Sequence, residues 1–259
     1  MMRVVFIVVT VLSLTGCLFR GKPKPPPPVE TVETTRLRAD SLWREANGHF
    51  RHARWAKLAE AMDRTLLIMQ YDDPRRPRGH FLMGEALVAQ SNELQAVREF
   101  RRVADEHAQH PLAPDALLRA GDAYAALWGK PQLDPSYGET AVTTYREVVE
   151  RFPGSPAAQR ASQQVLRLQE MFAQKEFEGA MFYHRLKAYD SAILGFRSTI
   201  ANYPRSSVVP EALVKLVNSY RVLDYAEDLR DTCQYIERFF PSTLPRVARD
   251  CRAPSPGAE

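Results

Sequence analysis

Apolar residues recur at three- and four-residue spacing along most of this chain. Leu58, Met62, Thr65, Leu66 and Met69 form one such set, and Val97, Phe100 and Val103 form another. Val142, Tyr145, Val148, Val149 and Phe152 continue the pattern, as do Ile193, Phe196 and Ile200. A period near 3.6 puts each set on one face of a helix, and nothing alternates over the length a strand needs. From Thr35 onward the pattern predicts an all-α chain of helix, turn and helix. Several of the segments stop at Asp73-Pro74, Phe152-Pro153, Tyr203-Pro204 and Phe240-Pro241. Proline cannot continue a helix and turns its predecessor away from helical angles, so each step is a physical stop.

The stops are regularly placed. Taking Pro74, Ala108, Pro153, Pro204 and Pro241 as equivalent, the steps are 34, 45, 51 and 37 residues. Ala96 with Phe100, Ala141 with Tyr145, and Ala192 with Phe196 each stand 12 and 8 residues before a stop. A small residue one turn before an aromatic lets a neighbouring helix approach closely and be wedged by the ring. A unit near 34 residues with insertions is the tetratricopeptide period. The first helices of the units are legible as well: Trp43-Ala46-Asn47-Phe50, Leu82-Gly84-Ala86-Leu87, Leu118-Gly121-Tyr124-Ala125, Ala180-Phe182-Tyr183 and Leu213-Leu216-Val217-Tyr220. The expected architecture is a right-handed superhelical solenoid of about five tetratricopeptide helix pairs. Such arrays use an extended concave face for binding.

Two departures from the period are informative. Gly129 to Thr140 is a turn-rich insertion in the third pair, with Asp134 or Ser136 placed to cap the next helix. After Pro156 no Gly or Pro occurs until Gly179, so Ala157 to Leu186 reads as one long helix or two nearly continuous ones. The expected divisions are 35–128 for repeats 1 and 2 with the first helix of repeat 3, 129–155 for the insertion and second helix, and 156–241 for the long helix with repeats 4 and 5. The tail, 242–259, ends in Ala253-Pro254-Ser255-Pro256-Gly257 and reads as disordered apart from any tether through Cys251.

The first 34 residues carry a different signal. Val4 to Leu14 spans only about half of the ~20 apolar residues a membrane helix needs. Arg3, this short apolar run and Leu14-Thr15-Gly16-Cys17 have the layout of a bacterial lipoprotein signal (1–16), with lipid on Cys17. Two or three acyl chains make a stable anchor where one does not. Leu18, rather than Asp, follows the cysteine and points to the outer membrane. Pro23 to Pro28 is expected to be extended polyproline II, a stiff spacer within residues 17–34.

Charge and chemistry narrow the function further. The net charge is +4 with acids and bases interleaved, which argues against a nucleic-acid face. With Cys17 lipidated, Cys233 and Cys251 remain, and an oxidising compartment allows one disulfide or two separate thiols. His49 with His52, and His107 with His110, each lack a third ligand, and zinc wants three or four. No hydrolase or phosphate-cradling motif occurs. The expectation is a non-enzyme without metal or cofactor.

Signal, spacer and five repeats together resemble the BamD family of outer-membrane protein assembly lipoproteins. The resemblance is carried by Leu133-Asp134-Pro135-Ser136-Tyr137, Arg151-Phe152-Pro153-Gly154-Ser155, Glu176 through Tyr183, Ala188 to Ile193, and Val209 through Tyr220. Gly195 departs from it, standing where members often carry a basic residue, with Arg197 nearby on another face. The resemblance implies a non-catalytic, lipid-anchored subunit on the periplasmic face of the outer membrane. Its C-terminal half would dock on a BamA-like barrel subunit, through candidates Tyr183, Arg185, Lys187, Arg197, Lys215 and Arg221. Its N-terminal repeats would hold unfolded barrel precursors, through candidates Asn47, Phe50, His80, Met83 and Glu85. The alternative is another envelope scaffold, such as the Tol-Pal-associated cell-division coordinator. That family has an N-terminal coiled coil and an ordinary signal, and this chain has neither a sustained heptad run nor a signal lacking the lipid cysteine.

Overall fold

The structure, a computed structural model, describes residues 31–252. The signal, Cys17, the proline run and Ala253 to Gly257 lie outside the described residues. Those described form eleven helices and no strand. Ten of them make five antiparallel pairs: α1 (Val32–Arg51) with α2 (Trp55–Ile68), α3 (Arg76–Val88) with α4 (Glu93–Glu106), α5 (Ala113–Leu127) with α6 (Ser136–Arg151), α7 (Pro156–Arg185) with α8 (Tyr189–Asn202), and α9 (Val209–Leu223) with α10 (Ala226–Phe239). A final helix, α11 (Leu244–Arg252), follows them. Each helix packs chiefly on its predecessor and successor, with further packing of α5 on α7, α7 on α9 and α9 on α11. Neighbour-only packing of this kind defines a solenoid.

The wedge between paired helices comes straight from residue size. In repeat 2 a Cβ on Gly84 would lie 2.5 Å from the Phe100 ring, and in repeat 3 one on Gly121 would lie 2.6 Å from the Tyr145 ring. Both rings are fully buried. In repeat 4 the close approach is reciprocal, because a Cβ on Gly195 would lie 2.7 Å from that of Ala180. A basic side chain at 195 would not fit between these helices, which gives the physical reason for that departure. The turns inside repeats 1, 2, 4 and 5 each use one left-handed residue, Ala53, Ser91, Lys187 and Asp224. In repeat 3 the insertion takes that turn's place. Trp128 anchors it, buried against Gly138 and stacked on Phe172 of α7 at 4.3 Å. Lys175 Nζ also donates to the Leu133 carbonyl at 3.0 Å.

The period reappears in the polar contacts between repeats. Arg75 donates to Asp40 across 35 residues, Arg119 to Glu85 across 34, and Tyr225 to Asp190 across 35. His184 and Asn218 meet across 34. Over the insertion the separation becomes 46, as Arg101 meets Glu147 and Arg151 meets Asp105. Equivalent positions in successive repeats therefore lie side by side.

One continuous helix covers the linking segment. The first half of α7 gives Ala157, Ala161 and Leu168 to the core of repeat 3, and its second half gives Ala180, Phe177 and Met181 to the core of repeats 4 and 5. Two ends differ from the sequence reading. Helix α1 begins at Val32 rather than Thr35, because the Thr31 side chain caps it by accepting from the Thr34 N–H. The tail is not without structure up to residue 252: Leu244, Val247 and Cys251 pack α11 on the core of repeat 5, and Cys251 is disulfide-bonded to Cys233.

Close approach predicts opposite outcomes for two glycines in helix interiors. Gly121→Ala should lower stability by about 1–3 kcal/mol, because a buried ring blocks the new methyl. Gly48→Ala meets nothing within 4 Å and should raise stability by about 0.5–1 kcal/mol. Denaturant unfolding of the two variants checks this; equal shifts of one sign would contradict the wedge.

Candidate functional site

The N-terminal candidates lie on the first helices α1 and α3, and the structure separates them into surface and seam. Phe50 is half-buried and edge-on to Trp55, with ring centroids 6.1 Å apart. Asn47 donates to the Trp43 carbonyl at 2.7 Å, within its own helix. Trp43 in turn lies under the Arg75 guanidinium, which Asp73 and Asp40 hold in place. Met83 is half-buried and packs against the cores of both repeats 1 and 2, so it joins them.

His80 and Glu85 are otherwise engaged. His80 is only 2% exposed, and its Nδ1 is 2.7 Å from Glu99 Oε2 on α4. His80 is therefore a core residue of the α3–α4 pair and not a groove residue. Both oxygens of Glu85 accept hydrogen bonds from Arg119, at 2.6 and 2.9 Å. Arg119 also reaches Asp122, whose other oxygen accepts from the buried Tyr145 hydroxyl at 2.8 Å. The bond to Glu85 raises the Arg119 pKa above its ordinary value, and burial, ahead of Asp122, raises that of Tyr145. This chain of polar groups seals the seam between repeats 2 and 3.

The C-terminal candidates fall in three places. Tyr183, Arg185 and Lys187 are exposed at the end of α7 and in the turn after it. The His184–Asn218 and Tyr225–Asp190 contacts bring that turn and the turn after α9 to one edge, where Arg221 also lies. Arg197 stands on α8 at the lip of a cleft of about 600 Å³, floored by Ile200, Leu213 and Leu216, and it faces Asp228 at 3.8 Å. Lys215 is paired with Glu211 at 3.5 Å. Glu211 also accepts from Arg246 of α11, and that bond holds its pKa below the usual carboxylate range.

The edge of repeats 4 and 5 carries apolar residues that the sequence reading passed over. Phe182 is 51% exposed, Leu186 62% and Val222 52%, and Tyr225 is exposed beside them in chain order. Phe182 and Leu186 share a face one turn apart, off the stripe that buries Ala180. The available signal was this surplus of large apolar residues beyond the core stripe. An exposed apolar group bordered by cations is the usual mark of a protein–protein contact.

Among the described residues no group of three His, Cys, Asp or Glu side chains could hold a metal ion, and no helix is long and apolar enough to cross a membrane. His52 Nδ1 lies 2.8 Å from the Gly48 carbonyl, and His110 Nδ1 accepts from the Leu112 N–H at 3.2 Å. Both pairs of histidines thus include a ring that serves a local turn.

Known proteins resemble the chain in sequence over most of this array. Residues 39–235 match the model of a family, YfiO, described as outer membrane lipoprotein. An outer membrane protein assembly factor BamD from Neisseria gonorrhoeae is 28% identical over 163 residues, which are 58% of this chain and 59% of that protein. The BamD of Caulobacter vibrioides is 26% identical over 245 residues, 90% of this chain and 74% of that one. The chain thus spans 59% of the length of its Neisseria relatives. In three dimensions it is similar to the TPR2AB domain of yeast Sti1 at 12% identity, with a TM-score of 0.46 and 83% of both chains covered. With its family match running from the middle of α1 to the middle of α10, the chain belongs to the YfiO family of outer membrane lipoproteins.

Proposed function

We propose that this protein is a non-catalytic, lipid-anchored subunit of the machinery that assembles β-barrel proteins into the outer membrane. Family membership and the BamD relatives support the process. The exposed edge of repeats 4 and 5 carries the proposal for docking: Phe182, Tyr183, Leu186, Val222 and Tyr225 lie in the open, with Arg185 and Lys187 beside them. This edge docks on a BamA-like barrel subunit. A partner strand or loop there would bury the apolar residues and offer acids to the cations. The N-terminal first-helix face, with Phe50, Asn47 and Trp43, holds the unfolded precursor. A preformed array suits an extended ligand because the protein side has little ordering left to do on binding.

The anchor is Cys17. Acylation there holds the array on the periplasmic face of the outer membrane, with the proline run as spacer.

Affinity isolation of the full chain from its native envelope tests the partner directly. A barrel protein with periplasmic repeats should co-purify; recovery of Tol-Pal or peptidoglycan components in its place would refute the proposal. The double variant Phe182→Ala, Leu186→Ala should keep its melting temperature, since both side chains are exposed. It should lose about 10-fold or more of the co-purified barrel subunit. Undiminished recovery would move the docking surface elsewhere. Cys17→Ser should leave the solenoid folded by circular dichroism and shift it from the membrane to the soluble fraction. Full retention with membranes would mean that docking, not lipid, is the dominant anchor.

A further inference from the structure

The contact between Glu211 and Arg246 spans 35 residues, the same separation that links Asp40 to Arg75 and one more than links Glu85 to Arg119. Helix α11 therefore stands where the first helix of a sixth repeat would stand, packed on α9 and α10. No second helix follows it within the described residues. It lies on the apolar end of the last repeat, where Val247 is buried with Leu213, Leu216, Val217 and Ile236.

Little in this helix can hold it there alone. It has nine residues, short of the ~12–15 at which an isolated helix becomes even marginal in water. Val247 is its one fully covered apolar side chain, and Leu244 and Cys251 are only partly so. The Arg246–Glu211 pair is about half exposed at the arginine, where such pairs add little. The covalent link fills the gap. Cys233 on α10 and Cys251 in the last turn of α11 close a loop of 18 residues over the end of repeat 5. Both cysteines are partly accessible rather than sealed in the core.

We propose that the Cys233–Cys251 disulfide is a redox-sensitive clasp that keeps α11 as the closing cap of the solenoid, and that a dithiol reductant opens it. The thiolate of the reductant attacks one sulfur, the S–S bond breaks, and the second thiol of the reductant resolves the mixed disulfide. Two electrons pass to the protein, which leaves with two thiols while the reductant leaves as its own disulfide. Helix α11 then frays and uncovers the apolar side of α9 and α10. The rest of the array keeps its packing, because a solenoid carries strain only to its nearest neighbours. The clasp acts on α9, the helix that also bears Val222. It stands independently of which partner docks there.

Hydrogen–deuterium exchange of the full chain, with and without dithiothreitol, tests this. On reduction, amides in 244–252 should exchange about 100-fold faster, and those of α1 to α6 should stay within about twofold. Cys251→Ser should show the fast exchange without reductant, and the double variant Cys233→Ser, Cys251→Ser should not respond to reductant. Should the serine variants fail to fold, the reduction of folded wild-type protein followed in real time still decides. Unchanged protection of 244–252 after complete reduction would overturn the proposal by showing that packing alone holds the cap. Loss of protection along the whole chain would overturn it too, by making the bond a global stabiliser.

Discussion

The fold rests on one steric requirement: two helix backbones must come close enough for an aromatic ring to fill the space above a small residue. Gly84 beneath Phe100 and Gly121 beneath Tyr145 meet it with no side chain at all, and Ala180 with Gly195 meets it from both sides. Where the approach is that close, the crossing of the pair is set by the backbones and by one ring rather than by many adjustable side chains. Repeating that geometry repeats the angle between units. The polar seams at 34 and 35 residues show that equivalent positions of successive repeats lie side by side.

The same requirement explains how the array absorbs its irregularities. The insertion of repeat 3 would be a weak point if it were only a loop. Instead Trp128 occupies the space above Gly138 and stacks on Phe172, so the insertion is bound to α7 by the device that joins helices elsewhere. Helix α7 then serves two cores along its 30 residues. A break in it would leave repeats 1 to 3 and repeats 4 and 5 joined only by neighbour contacts. As one helix, it fixes the N-terminal first-helix face relative to the C-terminal edge.

Much of this was legible in the residues, and the exceptions have physical reasons. Helical stripes and proline stops depend on local geometry, so they identify the pairs directly. Ala96 with Phe100 and Ala141 with Tyr145 announced the wedge. The α11 helix was legible too, since Leu244, Val247, Ala248 and Cys251 fall at helical spacing. It was masked by its shortness and by prolines on either side. His80 misled because a polar residue at a first-helix position reads as surface. Its burial depends on Glu99, nineteen residues away on another helix, which no local pattern reveals.

The period also accounts for some of the charged side chains paired between repeats. Three acids on first helices are committed to the seam by an arginine 34 or 35 residues later: Asp40 by Arg75, Glu85 by Arg119 and Glu211 by Arg246. Arg185 has Ser219 and Tyr220 at those distances, and Lys187 has Arg221 and Val222. Neither finds an acid there. These two cations therefore have no partner built into the next repeat, and they stand beside Phe182 and Leu186, which likewise have no core to enter. Burying a charge without a partner is costly, so an array that leaves cations and large apolar residues together at one edge favours a partner that brings acids and apolar surface at once. The acidic and aromatic lip of the cleft at Arg197 has the opposite character, because Asp228 already faces that arginine. The unpaired cations and exposed apolar side chains of the α7 edge therefore suit the proposed docking better than the α8 cleft does.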